Sequence, residues 1–199
     1  MIAFEEEYDG VFRLKIPFEN LYTSVFLLDR GKPMLVDCAT TAEDVDTVLL
    51  PALAAKGYRL SDIQAIVLTH AHADHAGGLA RVLEHSPELR VVRGEACALW
   101  DGFSTYPMAG HTADCIGVLD EVHHTLLSGD GVQGAGVDKY RCNVKLPEDY
   151  LNTLERIRAD RRIERILFSH AYEPWYSNRI EGREEVLACL AECPKYLKK

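Results

Sequence analysis

No apolar run approaches the roughly 18 residues that a bilayer-crossing helix needs, so no membrane span is expected. The start of the chain carries Glu5-Glu6-Glu7 and lacks the basic opening and greasy segment of a secretory signal. Cysteine is present (Cys38, Cys97, Cys115, Cys142, Cys189, Cys193), but without the short paired spacings of a zinc ribbon or a redox dithiol. Those thiols read as reduced and partly buried in a cytoplasmic protein, with Cys189 and Cys193 four apart on an expected helix as possible neighbours. Positive charge is also short: 22 Lys and Arg against 31 Asp and Glu leave a net −9, which argues against a nucleic-acid partner. The one basic run, Arg156, Arg158, Arg161, Arg162 and Arg165, is interrupted by Glu155, Asp160 and Glu164 and reads as a solvated helix face and loop. There is no internal repeat and no low-complexity tract.

What is present begins with 199 residues, 47% of them apolar, enough for one domain over 1–199 with a substantial core. Val11 to Ile16, Leu21 to Leu28 and Met34 to Val36 alternate with turn formers and predict antiparallel strands. Asp37 follows the third, either as a turn or cap residue or as a partner for a buried histidine. Thr40-Thr41-Ala42-Glu43 has the form of a capping box, opening a helix that Pro51 should kink or start on a new turn and Gly57 should end. The β-branched run Ile63 to Leu68 predicts a buried strand, and Gly77 to His85 a helix. Leu89 to Val92 reads as a strand, Glu95 to Trp100 as a short helix, and Ile116 to Leu119 with Thr125 to Leu127 as a hairpin. Pro147-Glu148-Asp149 opens another helix, Ile163 to Phe168 is a further buried strand, and a last helix runs from about Ile180 to Cys193.

Between the strand and the helix lies Thr69-His70-Ala71-His72-Ala73-Asp74-His75-Ala76-Gly77-Gly78, with three imidazoles and a carboxylate inside six residues. Side chains two apart on an extended segment share a face, so His70 and His72 can point one way, while Asp74 and His75 serve a neighbouring position. Neutral imidazole and carboxylate are ligands that first-row divalent metals accept. His85 falls at a helix end, and His123 and His124 on a hairpin turn, where they read as surface residues.

This segment, with His111 in Gly110-His111-Thr112, Asp130 in Ser128-Gly129-Asp130 and His170 in Phe168-Ser169-His170, resembles the ligand pattern of the metallo-β-lactamase superfamily. The resemblance implies an α+β fold, a four-layer αββα sandwich of two mixed β-sheets flanked by helices. It implies that His70, His72 and His111 hold one metal and that Asp74, His75 and His170 hold another, with Asp130 bridging. It also makes Asp37 a candidate support under the site. About 35 residues separate His75 from His111, leaving no room for the bulky insertion of the superfamily's nucleases. The histidine motif with Gly77-Gly78 looks most like glyoxalase II and related small hydrolases or lactonases.

Two ions about 3.5–4 Å apart can share a hydroxide, which implies hydrolysis of an activated acyl bond such as a thioester or lactone, with Asp74 and Asp130 as catalytic groups. The cofactors implied are two divalent ions, zinc first, with iron or manganese also suited to an all-His/Asp site. The partner expected is a small-molecule substrate; a homodimer is compatible with the sequence. The contrasting reading is a persulfide dioxygenase-like oxidoreductase that uses one iron and only part of the ligand set. Tyr106, Tyr140 and Tyr172 are each able to supply a hydroxyl to an oxyanion, and Tyr172, Trp175 and Tyr176 either wall a pocket or pack in the core. The glycine-rich stretch 131–136 predicts close passage of backbone to the site.

Overall fold

The apolar-to-polar alternation after Gly10 builds a long hairpin, from which the first of two sheets grows. The computed structural model describes residues 2–18, 21–132, 144–171 and 177–197. It divides into two compact units, Met1–Arg93 and Gly94–Lys199. In the first unit β1 (Glu5–Tyr8), β2 (Val11–Phe18), β3 (Leu21–Leu28), β4 (Met34–Val36), β5 (Ala65–Leu68) and β6 (Arg90–Arg93) lie side by side in chain order. Pairing is antiparallel as far as β4 and parallel from β4 through β6. Parallel neighbours need a crossover, and the crossovers here are helical. The first comprises α1 (Ala42–Asp44), a wider π-helical stretch (Val45–Leu49) and α2 (Leu50–Ala55), and the second comprises α3 (Ala73–Ala76) and α4 (Leu79–His85).

These helices cover one face of the sheet. Leu14, Ile16, Val25, Leu27, Leu35 and Ile66 form one cluster with Val45, Leu49, Leu53 and Val82. Each such side chain, fully withdrawn from water, contributes on the order of 1.5–3 kcal/mol. On the other face Arg13 is completely buried, held by Glu7, by Ser24 Oγ at 2.5 Å and by the Phe26 ring at 4.5 Å. A buried guanidinium is tolerable only with its donors so occupied.

In the second unit the order is β11–β10–β9–β8–β7, from β7 (Phe103–Pro107), β8 (Ile116–Asp120), β9 (Thr125–Leu127), β10 (Arg165–Leu167) and β11 (Arg179–Glu181). Among the described residues of this sheet only β9 and β10 pair in parallel. Tyr106, Met108, Leu126 and Ile166 pack with Tyr150, Leu154 and Ile157 of α5 (Pro147–Ala159) and with Val186 and Leu190 of α6 (Arg183–Glu192). Both sheets are thus mixed and carry helices, as expected.

Several local expectations are corrected. The first helix is capped by Thr41, not Thr40: Thr41 Oγ1 accepts from the Asp44 N–H and the Asp44 carboxylate accepts from the Thr41 N–H. Pro51 stands in the first turn of α2, which opens at Leu50, so it starts a new turn as one of the two expectations had it. The turn before it widens into the π-helical stretch, where a missing N–H is accommodated. No helix forms over Glu95–Trp100. This stretch is extended, because Thr105 Oγ1 accepts the Cys97 N–H at 2.7 Å and Leu99 N–H donates to the Phe103 carbonyl. The last helix starts at Arg183, since Arg179–Glu181 pairs with β10 as a strand.

Among the described residues Cys38, Cys97, Cys115, Cys189 and Cys193 are free thiols. Cys189 and Cys193 are neighbours, and the hydrogen bond between them together with burial raises the Cys189 pKa. No helix among the described residues is long and apolar enough to cross a membrane.

Candidate functional site

β5 ends at Leu68, and the chain turns through Thr69, His70 and Ala71 before His72 caps α3 with extended backbone. His70 and His72 therefore sit on the turn, and Asp74 and His75 in the first turn of the helix. His70 Nε2 lies 3.0 Å from His72 Nδ1, and the His70 and His75 ring centres are 4.1 Å apart. Asp74 Oδ2 is 3.3 Å from His75 Nε2 and accepts the Thr23 hydroxyl at 3.2 Å.

Underneath sits Asp37, wholly buried and in the left-handed region at φ 64°. Its Oδ1 accepts the Thr69 N–H at 2.8 Å, and its Oδ2 accepts the Thr69 hydroxyl at 2.9 Å and His75 Nδ1–H at 2.7 Å. Asp37 thus acts both as a turn residue and as the partner of a histidine. Holding the proton on Nδ1 makes Nε2, beside Asp74, the unprotonated ring nitrogen of His75.

The loop carrying Asp37 is tied to the histidine segment by Cys38 N–H to His75 carbonyl (2.9 Å) and Gly78 N–H to Ala39 carbonyl (3.0 Å). This contact explains the paired glycines, whose backbone angles any residue could adopt. A Cβ on Gly77 would stand 2.0 Å from the Thr40 carbonyl oxygen, and one on Gly78 would stand 2.2 Å from that of Cys38. Both obstacles are backbone and cannot swing aside. Gly78→Ala should therefore lower unfolding free energy by about 3 kcal/mol, measured by denaturant titration, whereas a role in chain flexibility alone predicts a neutral or stabilising change.

In the second unit, His111 follows Gly110, whose φ of +150° and contact with Tyr150 (2.6 Å from a built Cβ to Cα) exclude a side chain. The His111 loop is braced by the start of α5: Leu146 N–H donates to the Gly110 carbonyl, and Thr153 Oγ1 to that of Ala109. Asp130 lies beyond β9 in a turn opened by Gly129 at φ 51° and anchored by Ser128 N–H to the Leu167 carbonyl. His170 follows β10. The Asp130 carboxylate divides between two imidazoles, Oδ2 being 3.6 Å from His111 Nε2 and Oδ1 3.3 Å from His170 Nε2.

Each unit therefore gathers its own share of the expected ligands: His70, His72, Asp74 and His75 in one, His111, Asp130 and His170 in the other. In the first unit the ligand atoms of His70 and His72, of His70 and His75, and of Asp74 and His75 lie within 4.8 Å of each other. Closely set imidazole nitrogens and carboxylate oxygens, with one histidine's proton fixed away from the cluster, fit a first-row divalent cation. Sequence reasoning missed Thr69 and Thr23, which carry no motif signal of their own.

Other candidates fall away. His85 pairs with Asp46 at the end of α4, His123 with Asp120, and His124 Nδ1 with the Arg162 carbonyl on the β8–β9 turn. Tyr106 belongs to the helix-facing core, where burial raises its pKa. Its charged neighbours Arg156, Asp160 and Arg162 stand at the far end of α5 from the His111 loop. Tyr140, Tyr172, Trp175, Tyr176 and positions 133–136 of the glycine-rich stretch lie outside the described residues.

Comparison with known proteins adds an independent line. Residues 19–105 match the family model described as the metallo-beta-lactamase superfamily. A hydroxyacylglutathione hydrolase of Erwinia tasmaniensis is 28% identical over 174 residues, covering 73% of this chain; the chain spans 64% of that relative's length. A beta-lactamase-like protein 2 homolog of Caenorhabditis elegans is 26% identical over 88% of this chain and 68% of its own. The crystal structure of a metallo-β-lactamase from Hirschia baltica superposes with a TM-score of 0.70 at 20% identity, covering 97% of each chain. The sequence match over residues 19–105 and the likeness of fold agree: the chain is similar to proteins of the metallo-β-lactamase superfamily and shares their fold.

Proposed function

We propose that the chain is a dinuclear metal-dependent hydrolase acting on an activated acyl bond, a thioester or lactone, in a small-molecule substrate. His70, His72 and His111 would hold one ion and Asp74, His75 and His170 the other, with Asp130 shared. The observation that carries this reading is Asp130, whose two oxygens face two different imidazoles, as a carboxylate shared between two cations requires. Zinc is the first choice and iron or manganese the next, because no thiolate joins the donor set. The Erwinia relative is named a hydrolase of hydroxyacylglutathione, which supports an acyl substrate. The free thiols support a reducing compartment, the cytoplasm.

Bound divalent ions would supply Lewis acidity and lower the pKa of water towards about 7. The protein's own contribution is orientation and proton handling. Asp37 fixes the His75 ring and its tautomer. Asp74 is partly solvent-accessible, so it can take a proton and deliver it to a leaving group. Asp130 can hold the attacking water through its remaining acceptor capacity.

The test combines metal analysis with a panel of thioesters, lactones and β-lactams. About two ions per chain are expected, with turnover lost on chelation and restored by added zinc. Full hydrolysis by thoroughly metal-stripped protein would overturn the proposal. So would a single iron accompanied by oxygen uptake.

A further inference from the structure

β3 continues past the end of its neighbour. β4 stops at Val36, opposite Phe26, so residues 21–25 of β3 run on beside the loop that begins at Asp37. Thr23 lies in that overhang, paired with Ile16 of β2 on its other side, and α3 packs against the same strand. Its side chain is completely buried. On a buried strand a β-branched residue is unremarkable, but valine would serve the packing equally well. A hydroxyl in that position costs free energy unless it finds a partner, and its partner is Asp74 Oδ2 at 3.2 Å.

We infer that Thr23 is a positioning residue for Asp74; the inference rests on the reading of Asp74 as a metal ligand given above. An ionised carboxylate only accepts hydrogen bonds, so Thr23 donates and Asp74 receives as an anion. The strand backbone and the restricted χ1 of threonine set the direction of that donor. Asp74 occupies the first turn of a helix, where an unrestrained aspartate can turn back to bond the free backbone N–H groups or swing into water. Thr23 removes that freedom by tying one oxygen and keeps the carboxylate alongside His75 Nε2, 3.3 Å away. The second ligand group therefore draws its geometry from two directions. Asp37 fixes its imidazole from below, and Thr23 fixes its carboxylate from the sheet.

The test titrates zinc into metal-free wild type, Thr23→Val and Thr23→Ser against a chromogenic chelator of known affinity, alongside turnover. Thr23→Val should release the more weakly held ion about ten times more readily, leave the tighter one nearly unchanged, and preserve the melting temperature of the metal-free protein. Thr23→Ser, which restores the hydroxyl, should recover most of that affinity. Wild-type zinc binding in Thr23→Val would overturn the inference. So would a serine variant as weak as the valine one, since the methyl group would then be what matters. Should Thr23→Val fail to fold, Thr23→Ala compared with Thr23→Ser gives the same contrast without a misplaced methyl. A wild-type chain holding fewer than two ions would overturn the underlying reading of the site, and this inference with it, before any variant is compared.

Discussion

Asp130→Asn should leave the purified protein with about one ion per chain in place of two and lower hydrolytic turnover by about 10³-fold. The substitution keeps size and shape, so the fold should survive. It changes the chemistry on one side only. An amide offers one oxygen as a ligand and replaces the other with an NH₂ group, which has hydrogens where a cation needs a lone pair. In the native protein the two oxygens serve two neighbours, His111 Nε2 at 3.6 Å and His170 Nε2 at 3.3 Å, and whichever side receives the NH₂ loses a ligand. The negative charge that would offset two closely spaced dications also disappears. Lewis-acid stabilisation of a developing oxyanion is worth several kcal/mol, and about 4 kcal/mol corresponds to roughly a thousandfold in rate. Elemental analysis and steady-state kinetics on the same preparation decide the matter. Two ions retained, with turnover within tenfold of wild type, would mean that Asp130 is not shared between metals.

The candidate ligands stand out in the sequence for a simple reason. Their chemistry is rare and the first cluster is local, since His70 to His75 share one turn and the start of one helix. Long or fully buried strands were legible too: β3 and β5 are apolar over most of their length and buried almost throughout. The strands that escaped notice are short or polar edge elements. β1 reads Glu-Glu-Glu-Tyr and β11 reads Arg-Ile-Glu, so their order comes from a neighbour's open backbone and not from an apolar pattern. Residues 95–100 were misread because their composition favours helix, while one threonine side chain, Thr105 Oγ1, takes up the Cys97 N–H and holds the segment extended. The paired glycines were visible as letters but not as a requirement. That requirement is the carbonyls of Cys38 and Thr40, more than thirty residues earlier in the chain. Thr23 was invisible for the same reason, its acceptor being 51 positions away.

Asp37→Ala should lower unfolding free energy by about 3–5 kcal/mol and weaken metal binding by 10–100-fold. The carboxylate is completely buried and takes three donors: the Thr69 N–H, the Thr69 hydroxyl and His75 Nδ1–H. Each buried donor left without an acceptor costs about 1–3 kcal/mol, and water entering the void would offset part of the sum. Part of the loss, however, belongs to the backbone. At φ 64° aspartate and asparagine are tolerated far better than alanine, so Asp37→Ala alone mixes a turn effect with a hydrogen-bond effect. Asp37→Asn separates them. Asparagine suits the left-handed turn and can still accept from Thr69, but its NH₂ cannot receive the His75 proton. If Asp37 serves chiefly as a turn residue, the asparagine variant should recover both stability and zinc affinity. If it sets the His75 tautomer, the variant should recover much of the stability while zinc affinity stays at least tenfold low, because His75 is then free to present the wrong nitrogen. The 2.7 Å contact between Asp37 Oδ2 and His75 Nδ1, made by residues that backbone strain alone would not bring together, favours the second outcome.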